Sequence, residues 1–249
     1  MSVEFIVTVA GCAVRIAAIY PETMRFCRAY LTDCPSEGLP VLEVHISEED
    51  IEYERLISTK NRGREARSEQ SANPYLETLA VYRKIAEQLP GVGRILFHGS
   101  ALAMDGEGYL FAAKSGTGKS THARLWRESF GERVVMVNDD KPILSVAPEG
   151  ILVWGTPWDG KHHLSRNMSV PLKALCVLGR GEENFIERLT REQAYPNLLK
   201  QIYRPQDISA MGLTLAHLDR LLETVPVYRL SCNMEPEAAI ISYEGMQNR

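Results

Sequence analysis

Tyr109-Leu110-Phe111-Ala112-Ala113-Lys114-Ser115-Gly116-Thr117-Gly118-Lys119-Ser120 runs from an apolar segment through a small-residue loop into a lysine and a hydroxyl. A phosphate loop needs that order. Small residues let backbone N–H groups converge on phosphate oxygens, a lysine reaches the β- and γ-phosphates, and a hydroxyl meets Mg²⁺. The loop should leave a strand and enter a helix, whose N-terminus adds partial positive charge. Tyr109–Ala113 supplies the strand, and the residues from about Ser120 to Ser129 supply the helix, with Gly131 placed to end it. Ala113 stands where the G-x-x-x-x-G-K-[ST] pattern begins with glycine, and alanine is small enough to keep the loop. Ser115, Gly116, Thr117, Gly118, Lys119, Ser120 and Thr121 are therefore the expected ATP-binding residues.

Working outward, Val134–Val137 is an apolar run that reads as a buried strand, and Asp139-Asp140 follow it directly. Carboxylates at the carboxyl edge of a sheet stand where α/β proteins bind ligands. One can hold Mg²⁺ and the other can orient or deprotonate a hydroxyl. Alone, the pair also reads as solvated acids at a turn; the phosphate loop upstream favours the functional reading. His98, in Phe97-His98-Gly99-Ser100, reads by itself as a structural side chain. Gly155-Thr156-Pro157-Trp158-Asp159-Gly160-Lys161-His162-His163 is a shaped loop rich in ionisable groups. Lys161, with Arg166 after it, is a candidate to offset charge on a transferred phosphoryl group, and the loop is expected to present Lys161 or His162 to that group. The adjacent His162 and His163 face opposite ways on a strand and make a poor metal pair. Trp154 and Trp158 suit either base stacking or core packing, the commoner fate.

The flanks complete an α/β pattern. Residues 3–20 read as two strands joined at a turn near Gly11, Met24–Leu31 as a short helix and Val41–Ser47 as an alternating strand. Residues 59–74 carry almost nothing apolar and read as a loop or linker; Asn73-Pro74 then open a helix. Strands are expected at Ile95–Met104, Ile143–Val146, Ile151–Val153, Ala174–Leu178 and Val227–Cys232. Helices are expected at Pro196–Tyr203, at Ile208–Glu223 and after Asn233–Pro236. Residues 1–90 form a smaller β-rich region packed on or capping the core, and 91–249 form the core.

With 28 basic and 32 acidic residues in 249, the net charge is 28 − 32 = −4. That argues against a bulk nucleic-acid binder or a binder of acidic membranes. The five cysteines, Cys12, Cys27, Cys34, Cys176 and Cys232, show neither C-x-x-C spacing nor a zinc pattern, and read as reduced thiols. The start lacks a basic signal-peptide region, and Phe5–Ile19, broken by Arg15, is too short to span a bilayer. A cytoplasmic protein is expected.

The order of His98-Gly99, a strand hairpin, Ser115–Ser120 and a strand into Asp139-Asp140 resembles the catalytic core of HPr kinase/phosphorylase. It also resembles the small HPr-kinase-like proteins, among them the lasso-peptide kinases, which Gly155–His163 and Val170–Glu183 match better than they match the bifunctional enzyme. The resemblance covers about residues 94–180. It implies an α/β fold with the mixed sheet core shared with phosphoenolpyruvate carboxykinase, and a kinase using ATP and Mg²⁺. The implied acceptor is a hydroxyl on a peptide, small protein or metabolite, and the hexamers of the bifunctional relatives imply a homo-oligomer. Position by position, Lys119 and Ser120 would serve phosphate and Mg²⁺, Asp139 would be the general base, Asp140 would assist at the metal, and His98 would stand near the reacting phosphate. Thr121 replaces an acid of the bifunctional enzyme, and its second, Arg-containing signature has no copy here. Two other readings stay open: a carboxykinase-like enzyme and a non-catalytic ATP sensor.

Overall fold

A computed structural model describes residues 2–62 and 72–247, with side chains up to residue 59 and again from residue 72. The chain divides into two compact units, Met1–Val92 and Gly93–Arg249. Among the described residues no helix is long and apolar enough to cross a membrane.

In the first unit, β1 (Val3–Val9) and β2 (Cys12–Ala18) form an antiparallel hairpin. Its two-residue turn, Ala10-Gly11, has φ of 50° and 67°, the left-handed pair that matches strand twist. β3 (Val41–His45) joins parallel to β2, with Leu42 and Val44 inward as the alternation predicts. The expected Met24–Leu31 helix is instead α1 (Pro21–Phe26), opened by its proline, followed by a separate 3₁₀ turn at Arg28–Tyr30. A helix that the sequence reading did not expect, α2 (Glu48–Arg62), carries three acids in its first turn, where the helix dipole favours them. It takes residues 59–62 out of the expected loop, α3 (Asn73–Gln88) begins at Asn73, and residues 63–71 lie outside the described residues. This unit is therefore less β-rich than expected: its two longest elements are helices. Glu77 on α3 is fully buried and accepts bonds from the Ile19 and Tyr20 N–H groups and from the Thr23 hydroxyl, which satisfies a carboxylate that would otherwise be costly to bury.

The second unit is built on one mixed sheet in the order β4 (Arg94–Leu96), β8 (Ile143–Ala147), β9 (Gly150–Trp154), β10 (Ser169–Arg180), β6 (Glu107–Ala112), β5 (Ser100–Met104), β7 (Val134–Asn138). β12 (Val227–Cys232) adds beside β10, and β11 (Phe185–Arg188) beside β12. The long β10 runs antiparallel to β9 at its start and parallel to β6 and β12 further on. Each face is covered by helices. Leu110 and Ala112 of β6 pack with residues of α5 (Arg191–Leu199) and α6 (Ile208–Thr224). Tyr109 and Phe111 pack with α4 (Lys119–Phe130) and α7 (Glu237–Gln247). A strand buried on both faces is apolar without alternation, as Tyr109–Ala113 is.

Three readings change in detail. The Ile95–Met104 strand breaks at Phe97–Gly99 into β4, which pairs with β8, and β5, which pairs with β6 and β7; between them the Phe97, His98 and Gly99 N–H groups bond to the Pro142, Gln201 and Asp140 carbonyls. The helix expected at Pro196–Tyr203 starts earlier, at Arg191, where Thr190 and Gln193 form a capping box, and Pro196 lies inside it. β11 was not expected; it is a short, largely exposed edge strand on which Ile186 alone packs against the core.

Candidate functional site

The phosphate-loop segment leaves β6 and enters α4 as the sequence predicts. Gly116 and Gly118 have φ of 77° and 126°, and a Cβ on either would meet nothing within 4 Å. The first backbone bond of α4 runs from the His122 N–H to the Gly118 carbonyl, at 2.9 Å. The N–H groups of Lys119, Ser120 and Thr121 are thus left without intrahelical acceptors, as an anion site requires. Lys119 Nζ turns back to the Ala113 carbonyl at 3.1 Å, and burial pushes its pKa down. Trp126 anchors the helix beneath. It is fully buried, 5.0 Å from the Tyr109 ring and 5.2 Å from Phe111, with its indole N–H donating to Ser242 Oγ at 2.8 Å. Arg180, at the end of β10, donates to the Gly116 carbonyl at 2.5 Å and to the Thr117 carbonyl at 3.3 Å, holding the loop from the neighbouring parallel strand.

The two acids beyond β7 diverge. Asp139 is 6% exposed, and its Oδ1 accepts from Ser100 Oγ at 2.8 Å. Burial raises its pKa and Asp159 adds to the rise, while hydrogen bonds from Ser100 and Ser120 oppose it. Gly160 lies against the other carboxylate oxygen, so closely that a Cβ would stand 2.7 Å from it. Asp140 points elsewhere, with its Oδ1 3.4 Å from His98 Nε2 and 3.6 Å from Lys141 Nζ. Burial first, then the charges of Lys141 and Lys119, lowers the His98 pKa to about 4, so this imidazole is neutral at neutral pH. His98 is also fixed through its backbone, the N–H bonding the Gln201 carbonyl at 2.7 Å.

The Gly155–His163 loop folds against these acids. Asn138 Nδ2 donates to Thr156 Oγ1 at 3.1 Å and to the Trp158 carbonyl at 3.3 Å. Asp159 accepts from the Gly160 and Ser165 N–H groups, at 2.6 and 3.0 Å, and also from the Ser165 hydroxyl and the Asp139 N–H. Trp158 is buried, while the Trp154 indole donates to Ser145 Oγ at 2.9 Å. Lys161 and His162 are both exposed, and His162 is the one that lines a cavity with Ser120 and Asp139. Arg166 is exposed at its side chain and meets the site through its backbone, whose N–H donates to Val137 O at 3.3 Å.

Two cavities flank the start of α4. One, of 530 Å³, is lined by Ser120, Asp139, His162 and Leu164 and reaches Arg124 and Arg127. The other, of 590 Å³, is lined by Gly116, Thr117, Gly118, Leu125, Leu178 and Met234. Thr121 borders both. Ser100, Asn138, Asp159, Ser165 and Arg180 shape the site, and the sequence assigns none of them an individual role. Of these Asn138, a polar residue between an apolar strand and two acids, and Asp159, in the loop rich in ionisable groups, carry a local signal.

The sheet and its helices define a mixed α/β protein. A family model described as SynChlorMet cassette protein ScmC matches residues 69–237, and the chain belongs to that family. The match includes the phosphate-loop segment, Asp139-Asp140 and Gly155–His163. Among curated protein sequences none matches. Among solved structures the chain is similar to the HPr(Ser) kinase/phosphatase from Coxiella burnetii, at 12% identity and a TM-score of 0.36, over 62% of this chain and 99% of that one.

Proposed function

We propose that this protein is an ATP-dependent kinase that transfers the γ-phosphoryl group to a hydroxyl on a peptide, small protein or small molecule. The carrying observation is the 530 Å³ cavity in which Ser120, at the end of the phosphate loop, and the buried Asp139 share one wall. The left-handed Gly116 and Gly118, the free helix N–H groups and Lys119 fit phosphates. The Ser120 hydroxyl and the nearby carboxylates are hard oxygen donors of the kind Mg²⁺ takes. Bound Mg²⁺ would neutralise charge developing on the phosphates.

In this reading Ser100 holds one oxygen of Asp139, leaving the carboxylate positioned to accept the proton of the acceptor hydroxyl. Lys119 leaves the Ala113 carbonyl to meet the β- and γ-phosphates. Asp140, beside neutral His98, serves the metal side of the site. The nucleoside lies in the 590 Å³ cavity against Leu125, Leu178 and Met234, and the acceptor enters from the opposite side of α4, so that transfer runs from one cavity to the other.

The test is Asp139→Asn, assayed with γ-labelled ATP against peptide and metabolite pools of a cell lysate. Transfer should fall roughly 10²–10⁴-fold with nucleotide affinity intact by calorimetry. Unchanged transfer overturns the reading, and a function that survives the substitution would mark a sensor. Equal losses in binding and turnover would make Asp139 a metal ligand and move the base to Asp140. Because burial raises the Asp139 pKa, its reactive carboxylate form is lost at a higher pH than for an ordinary aspartate. The acid limb of kcat/KM should therefore lie above the usual value of about 4.

A further inference from the structure

We propose that the acceptor carries an anionic group, carboxylate or phosphate, apart from its hydroxyl, and that Arg127 receives it. The inference rests on the kinase reading and names the acceptor's chemistry.

The cavity that holds Ser120 and Asp139 continues along α4 to Arg124, Arg127 and Glu128. Ser120, Arg124 and Arg127 are spaced i, i+4 and i+7, which sets them on one face of the helix. Arg124 is already engaged, its Nη1 bonding both Glu128 oxygens at 2.8 and 2.9 Å. Arg127 lines the same cavity, and among the described residues no acid pairs with it. Elsewhere in this unit Arg133, Arg191 and Arg229 each have an acidic partner. An unpaired guanidinium on the wall of a cavity is a ready bidentate receptor for a planar carboxylate or a phosphate. The cavity also holds Asp139, whose negative charge opposes an anionic guest, and Arg127 supplies the compensating cation.

Spacing adds a size. A rise of 1.5 Å per residue sets Arg124 about 6 Å and Arg127 about 10 Å along the axis from Ser120. Phosphoryl transfer occurs at the Ser120 end, so the anionic group lies several bonds from the hydroxyl. That distance suits an extended acceptor such as a peptide segment better than a compact hydroxy acid.

The test uses the full chain with Mg-ATP and a set of serine peptides carrying Glu, phosphothreonine, Gln or Lys at successive distances from the serine. The wild type should favour a Glu or phosphothreonine peptide over its Gln counterpart by about tenfold in kcat/KM, mainly through KM, as one charge-assisted pair gives. The arm with the larger preference names the group. Arg127→Gln should remove the preference, Arg127→Lys should keep part of it, and Arg127→Glu should turn it toward the Lys peptide. Equal use of Gln and acidic peptides, a preference that survives Arg127→Gln, or labelling confined to neutral metabolites overturns the inference and leaves the kinase reading standing. No transfer to any peptide or lysate pool overturns both.

Discussion

A Cβ added to Gly118 of the phosphate loop would meet nothing within 4 Å, whereas one added to Gly155 would run into the Arg166 carbonyl and stand 2.7 Å from that of Val137. Gly118 has φ of 126° and needs glycine for its backbone conformation. Gly155 needs it because two other backbone segments pass through the space a side chain would fill. Gly160 belongs with Gly155, since Asp139 lies against it. The first loop has open space around it, and the second is packed as tightly as a core. The packed loop holds the acid in place, and the open one leaves the space in which the proposed reading seats the phosphates.

The sharpest break would come at Gly155. Gly155→Ala should cost about 3 kcal/mol or more, because backbone carbonyls on both sides cannot swing away as a side chain would. A melting temperature lowered by roughly 10 °C is expected by calorimetry, and an unchanged value would refute the crowding.

The open loop should respond the other way. Lys119→Ala removes a point charge from the phosphates and touches no core contact, so nucleotide affinity should fall roughly 10- to 100-fold while the melting temperature stays within 2–3 °C of wild type. Affinity measured by titration calorimetry and stability measured on the same sample decide it. A large loss of stability would put Lys119 in the scaffold through its bond to the Ala113 carbonyl.

The smallest effect separates two neighbours within the packed loop. His162 lines the cavity with Ser120 and Asp139, and Lys161 is exposed beside it. His162→Ala should lower kcat about three- to tenfold, the cost of one polar contact, and should do so more than Lys161→Ala. The reverse order would give Lys161 the phosphoryl-facing role that the sequence left open between the two.

Most strands and helices were legible because their cause is local. Alternation gave β3, a turn with glycine gave the β1–β2 hairpin, and a continuous apolar run gave β7. α2 escaped because it buries few side chains, Ile51 among them, and reads as charged chain. The break at Phe97–Gly99 escaped because its partners, at residues 140, 142 and 201, are distant in sequence. In the site, the loop residues and the acid pair were legible as motifs. Ser100, which bonds Asp139, and Arg180, which holds the Gly116 carbonyl, were not, since each acts on a partner 39 or 64 residues away.

By itself, then, the sequence determined most of the elements of the second unit, the run of small residues between β6 and α4, and the position of Asp139-Asp140 just past a buried strand. These follow from period, backbone freedom and burial, all of which act over a few residues. Only the tertiary structure decided that Asp139 turns toward Ser100 and Ser120 while Asp140 turns toward His98 and Lys141. It also decided that His162, more than Lys161, meets the cavity. Adjacent side chains choose their directions by the partners that surround them, and those partners are brought together by sheet pairing and helix packing across the unit.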